Sequence, residues 1–190
     1  MSFYGIYKQV RDASWNCLID FKIKKLPVDV LQIARKAQIK VIKNKEVNEL
    51  ALNEFGVSIF DGKIWYIIYD DTMSIPDIRY IIGHELGHIF IGHELRKVNN
   101  KQTFKSDKYD NEKEADDFSA RLLAPACALW GLKLKTPEEI STLCNIPYNI
   151  SRQRANRLVQ LYKRNKFLTS PLEEEVYRNF YPWINEEANV

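Results

Sequence analysis

Three cysteines in 190 residues, Cys17, Cys127 and Cys144, are too few and too scattered for a disulfide framework or a zinc knuckle. Reduced, buried thiols in a cytoplasmic protein are expected instead. No apolar run approaches the roughly 18 residues of a membrane-crossing helix, so no membrane partner is expected. The opening "MSFYGIYKQVRDASW" has no basic region followed by an apolar core, and no secretory signal is expected there. Excess charge is also missing. The 28 basic and 25 acidic residues leave a net +3, too little to argue for nucleic acid. There is no internal repeat and no low-complexity tract. What remains is an ordinary globular composition, 45% hydrophobic and 28% charged.

The opening stretch through "SWNCLIDFKIKK" reads as a helix ending in a basic turn. In "LPVDVLQIARKAQ", Pro27 suits a first helical turn, and Val30, Leu31, Ile33 and Ala34 share a face. "IKVIKN" at 39–44 alternates like a strand. "GVSIFDGKIWYIIYD" reads as a hairpin turning at Asp61-Gly62. Ser74 and Pro76 open a helix over 77–91. "ELRKVNNKQTFKSDKYDN", at 94–111, is polar and aperiodic, and a mobile loop is expected, either beside a cleft or as a surface connection. "EKEADDFSARLLA" is a second helix, stopped by Pro125. Residues 136–167 read as short helices, followed by a tail rich in aromatics and glutamate. Helices, then strands, then helices make the class α+β.

Histidine is as scarce as cysteine, yet two of the three fall in "HELGH", residues 84–88. At i and i+4 on a helix, His84 and His88 face the same way and can reach one metal ion. Glu85 is rotated by about 100° and flanks that ion, placed to take a proton from water activated there. By chance the pattern arises in on the order of one chain in a hundred of this length, so its surroundings must decide. Ile78, Ile82, Leu86 and Ile89 make an apolar stripe, with His84, His88 and Glu85 on its flank. Gly83 and Gly87 leave a bare strip where another element can come close. Polar groups on so apolar a helix need partners. Metal ligation supplies them, and a satisfied core cluster is the alternative.

A catalytic zinc takes three protein ligands and a water. His93 reads as a helix-end histidine after Gly92, pointing away from the ligand face. On the second helix, Ala115, Phe118, Ser119, Leu122 and Leu123 define an apolar face that includes Glu112. Lys113, Glu114, Asp117 and Arg121 fall outside it, on a face expected to meet water. Asp116, one turn past Glu112, is placed to accept a hydrogen bond from a ligand histidine. A solvated helix edge is its alternative.

"RYIIGHELGHIFIGH" followed by "EKEADDFSARLLAP" resembles the ImmA/IrrE family of zinc metallopeptidases. That family pairs an H-E-x-x-H helix with a later E-x-E-A-x-x-F-A-x-x-L-L-x-P helix. The upstream "LPVDVLQIARKAQIKVI" and the hairpin resemble its lead-in, so the resemblance spans roughly residues 20 to 165. It implies a thermolysin-like zincin core holding Zn2+, with Glu112 as third ligand. It also implies cleavage or inactivation of a helix-turn-helix repressor from a mobile element or stress regulon. Ala126 and Cys127, after Pro125, carry no visible functional content.

"TPEEISTLCNIPYNISRQRANRLVQLYKRNKF" resembles a helix-turn-helix, with Ser151 as N-cap of its second helix. Arg152, Arg154, Arg157, Lys163, Arg164 and Lys166 make that helix basic, and Ala155, Leu158 and Leu161 give it a core-facing stripe. A solvated basic face on a packing helix is the favoured reading, and a DNA-binding surface is the rival.

The expectation is an α+β chain with a zincin-like metallopeptidase core over 1–131, its small antiparallel sheet packed on the HExxH helix. Residues 132–190 form a helical extension on that core, in one compact unit. The expected activity is cytoplasmic zinc endopeptidase, with a protein substrate as partner and no direct nucleic-acid binding. The rival is a DNA-binding regulator with a structural or vestigial metal site. Glu85 discriminates, since a structural site needs no general base. Tyr109, Arg79 and His93 are the candidates for stabilising an oxyanion.

Overall fold

In the computed structural model, which describes residues 3–98, 101–104 and 109–187, helix α1 (Phe3–Asp20) stops short of the expected basic turn. Lys22 adopts a left-handed φ of 55° and redirects the chain, so that Ile23, Leu26 and Val28 are buried instead. Asp29 caps α2 (Val30–Lys36), its side chain accepting from the Gln32 N–H at 2.9 Å. Pro27 therefore precedes this helix rather than sitting in its first turn. Strand β1 (Lys40–Lys43) and the short α3 (Asn44–Val47) follow.

The hairpin is β2 (Gly56–Phe60) and β3 (Trp65–Tyr69). Its turn centres on Gly62-Lys63, one residue later than expected. The Asp61 N–H donates to the Ile64 carbonyl, and the Asp61 carboxylate accepts from the Lys63 and Ile64 N–H groups at 2.8 and 2.9 Å. That leaves Gly62 as the residue with positive φ, 95°. Next come α4 (Ile75–Ile91), β4 (Leu95–Val98), β5 (Lys101–Phe104) and α5 (Tyr109–Leu123).

The strands lie in the order β1-β3-β2-β5-β4. The α+β class stands, but the sheet is mixed rather than antiparallel, because β1 runs parallel to β3. The mobile loop expected at 94–111 is replaced at its described ends by β4 and β5, and by the start of α5. Strand β5 joins β2 at Ile59↔Thr103 and Phe60↔Gln102. Backbone pairing works with polar side chains, so no apolar alternation marks these strands. Residues 99–100 and 105–108 of that stretch lie outside the described residues.

The remaining elements are α6 (Ala126–Gly131), α7 (Pro137–Cys144), α8 (Tyr148–Arg164) and α9 (Pro171–Glu187). A Thr136/Glu139 capping box starts α7. Helix α8 begins three residues before its expected cap. Ser151 is buried one turn in, donating to the Tyr148 carbonyl at 2.8 Å. Its basic face is also thinner than expected. Arg154 is buried and donates twice to the Ala124 carbonyl, at 3.0 and 2.8 Å, while Arg157 reaches the Tyr7 hydroxyl. The aromatic tail is helix α9, whose Val176, Phe180 and Ile184 recur at helical spacing, are buried, and pack toward α1 and α6.

The contact that positions the site is α4 on α5. A Cβ built on Gly83 would lie 2.5 Å from Ser119 Oγ, which donates to the Tyr80 carbonyl at 2.9 Å. One on Gly87 would lie 3.1 Å from the Cα and carbonyl oxygen of Ala115 and from Phe118 Cδ1. The bare strip is therefore where α5 seats. Alanine in a helix interior normally gains about 0.5–1 kcal/mol over glycine. Here overpacking of roughly 1–3 kcal/mol opposes that gain. Gly87→Ala is expected to lower stability in urea denaturation, with Gly83→Ala at least as damaging. A gain in stability for either would mean that the two helices have slack between them.

Candidate metal centre

Ser74 caps α4, with its side chain accepting from the Asp77 N–H, Pro76 lies in the first turn, and Gly92 ends the helix at φ 80°. The straight run between them sets His84 and His88 side by side, their Nε2 atoms 3.0 Å apart. From α5, Glu112 brings Oε2 to 3.3 Å from His84 Nε2 and Oε1 to 3.6 Å from His88 Nε2. One donor atom from each of the three residues falls within 4.8 Å of the others. Bonds of about 2.0–2.1 Å at tetrahedral angles would separate donors by roughly 3.3 Å. The donor set therefore fits a single small cation.

The electrostatics agree. Hydrogen bonds from His84 and then His88 hold the Glu112 carboxyl well below the usual carboxylate range. Burial lowers the pKa of His84, but hydrogen bonds to Asp116 and Glu112 outweigh it and carry the imidazole up to about 10. Carboxylates that stabilise a cationic imidazole equally favour a cation at its Nε2.

Each histidine is also held from behind. His84 Nδ1 lies 2.9 Å from Asp116 Oδ1, and the Tyr80 hydroxyl donates to the same oxygen at 3.0 Å. Asp116 is thus both an exposed helix-edge residue and a partner of His84. His88 Nδ1 lies 2.8 Å from His93 Nδ1, and His93 Nε2 lies 3.3 Å from Glu114 Oε2. Burial, and then the neighbouring His88, push His93 down to about 4, so it is neutral. It can then accept from His88 Nδ1–H and donate to Glu114, which leaves His88 Nε2 free to bind a metal. The ring of Phe104 stacks on His88 at 5.0 Å.

Several expectations are corrected here. His93 does not point away, because the turn at Gly92 folds it back onto His88. Glu114 does not face water. Its side chain is 19% exposed, against 40% for Glu112. Arg121 is buried beneath α1, its guanidinium 4.6 Å from the Tyr7 ring. Arg79 is no oxyanion donor, since it bonds to the Val28, Cys144 and Asn145 carbonyls outside the cleft. His93 does not line the cleft either, and the Tyr109 side chain lies outside the described residues.

A cleft of about 420 Å³ opens in front of the three donors, walled by Gly56, Val57, Tyr80, Ile81 and Phe104 among others. Glu85 lines it, 6% exposed, with Oε2 accepting from Ser58 Oγ at 2.7 Å. Burial raises its pKa against the pull of His84 and His88. Gly56 is needed alongside, since a Cβ there would lie 2.5 Å from Ile81 Cγ2 and 3.2 Å from Glu85 Oε1. Ser58, Tyr80 and Phe104 are functional neighbours that the sequence analysis does not name. Tyr80 had a signal, four residues before His84 on the same face. Ser58 and Phe104 reach the site only through sheet register.

The model of the IrrE N-terminal-like domain family (Peptidase_M78) matches residues 35–156, well over half the chain and including both α4 and α5. The chain belongs to this family. No curated protein matches it significantly. As a member of Peptidase_M78 it is a metallopeptidase, a hydrolase acting on protein. No helix among the described residues is long and apolar enough to cross a membrane.

Removing an orienting partner of a metal ligand typically costs about 10–100-fold in metal affinity. Asp116→Ala and His93→Ala are each expected to lose that much in a zinc competition titration, and Glu114→Ala somewhat less. Glu112→Ala should lose more than any of them. Unchanged affinity in both His93→Ala and Glu114→Ala would reduce that pair to packing.

Proposed function

We propose that this chain is a zinc-dependent endopeptidase whose substrate is a helix-turn-helix repressor of a mobile element or stress regulon. The observation that carries the catalytic reading is the convergence of His84, His88 and Glu112 from two helices beside the buried carboxylate of Glu85. Two imidazoles and one carboxylate suit zinc and leave a position open, as catalytic rather than structural sites do. Zinc bound there would supply a Lewis acid and lower the pKa of water to about 7. Glu85 then removes the proton from the attacking water and returns it to the leaving amine. Its burial makes it a stronger base than a solvated glutamate, and the Ser58 hydrogen bond fixes one oxygen and leaves the other free. Among the described residues β2 pairs with β5 at Ile59 and Phe60, and its Gly56–Ser58 half lines the cleft beside Glu85.

In this reading residues 1–131 are the catalytic core and 132–190 a helical extension, and the protein works in the cytoplasm. The free, buried Cys17, Cys127 and Cys144 are compatible with a reducing compartment. The DNA-binding rival is weakened because packing removes Arg154 from the basic face of α8. Glu85→Gln should retain zinc and lose cleavage of the repressor encoded beside it, with metal content and a cut band read on one sample. Full cleavage by that variant would remove the general-base role, and with it the distinction from a structural metal site.

A further inference from the structure

On the side of α5 facing α1, a second pocket of about 280 Å³ shares no lining residue with the metal cleft. Arg11, Arg121, Arg154, Arg157 and Lys166 line it, and Glu173 is its one carboxylate among the described residues. We propose that this pocket, between α1, α5, α8 and α9, binds a small phosphate-type oxyanion.

The cations there are under-compensated. Arg11 pairs with Asp12 at 2.8 Å and Arg121 with Asp117 at 3.6 Å. Arg154 and Arg157 have no carboxylate partner among the described residues. Arg154 is 8% exposed and spends Nε and Nη2 on the Ala124 carbonyl. Its Nη1 meets no acceptor among the described residues. Among the described residues Arg157 donates to neutral oxygens, those of Tyr7 and Gln160. The guanidinium groups of Arg121 and Arg157 lie 4.6 and 5.4 Å from the same Tyr7 ring. That ring offsets part of their charge. Burial, and then Arg121, push the Arg154 pKa down to about 10, with Arg157 adding to it. Glu173 offsets part of this charge, but it is one carboxylate among five cations in the pocket lining. Its carboxylate accepts from the Thr169 N–H at 3.1 Å, and burial raises its pKa against the pull of that bond and of Arg11.

Buried like charges without a counter-charge are costly, and an anion among them recovers that cost. Planar guanidinium forks match the oxygens of phosphate, and Lys166 adds a mobile cation at the rim. The volume sits at the low end for ligand sites and suits an inorganic phosphate or a phosphate monoester with a small body. Depth excludes a duplex backbone from Arg154, whereas a small ion can enter.

The test is isothermal titration of the full chain with inorganic phosphate and, separately, adenosine 5′-monophosphate, in chloride buffer at constant ionic strength. Saturable one-to-one binding is expected. Arg157→Gln should weaken it about tenfold or more and Lys166→Gln by less, with helical circular dichroism and metal content unchanged. Equal affinities would identify a bare-anion site. Tighter nucleotide binding would show that the aromatic walls of Tyr7 and Trp15 hold the organic part. The proposal is overturned if neither probe saturates below about 10 mM. It is equally overturned if binding is unchanged in both variants, which would place the phosphate at the metal centre.

Discussion

Everything at the metal centre depends on how closely α4 can lie on α5. The ligands come from both helices, and a carboxylate side chain has a short reach. Gly83 and Gly87 remove the side chains that would hold the helices apart, and Ala115 and Ser119 present small partners opposite them. Burying backbone against backbone also keeps Tyr80, His84 and Asp116 in one hydrogen-bonded set, because Ser119 ties α5 to the Tyr80 carbonyl. A wider spacing would carry Glu112 away from both imidazoles.

The sheet completes what the helices begin. Strand β2 delivers Ser58 to Glu85 and keeps Gly56 bare beside it, while β5 lays Phe104 over His88. Trp65 on β3 stacks on Phe104 in turn, at 5.2 Å, so the roof is backed by the hairpin. The two histidines are oriented by different devices, one by a carboxylate and a tyrosine, the other by a neutral histidine relayed to Glu114. Both devices direct Nε2 toward the same point.

The parts legible in the sequence were those encoded by local spacing. His84, Glu85, His88 and the glycine strip belong to one helix, and its geometry fixes their directions before any neighbour is known. Glu112 and Asp116 were placed by the same rule. That rule failed at Glu114 and Arg121 because it assigns a helix one buried face, whereas α5 is covered by α4 on one side and α1 on another. His93 was misjudged because it lies past Gly92, where the left-handed cap takes the chain off the helical wheel. The strands at 95–98 and 101–104 are held by backbone pairing, which leaves little trace in polar side chains. The tail was different: Val176, Phe180 and Ile184 carried a helical period that a reading of composition passed over.

In the proposed function two helices close on one zinc ion with three protein donors and leave a coordination position open. X-ray absorption at the zinc edge, with metal counting on the same sample, reads that coordination. One zinc per chain is expected, with two imidazole nitrogens, oxygen in the remaining positions and no sulfur, at bond lengths of about 2.0–2.2 Å. A sulfur ligand at about 2.3 Å, or less than stoichiometric zinc after loading, would contradict that arrangement.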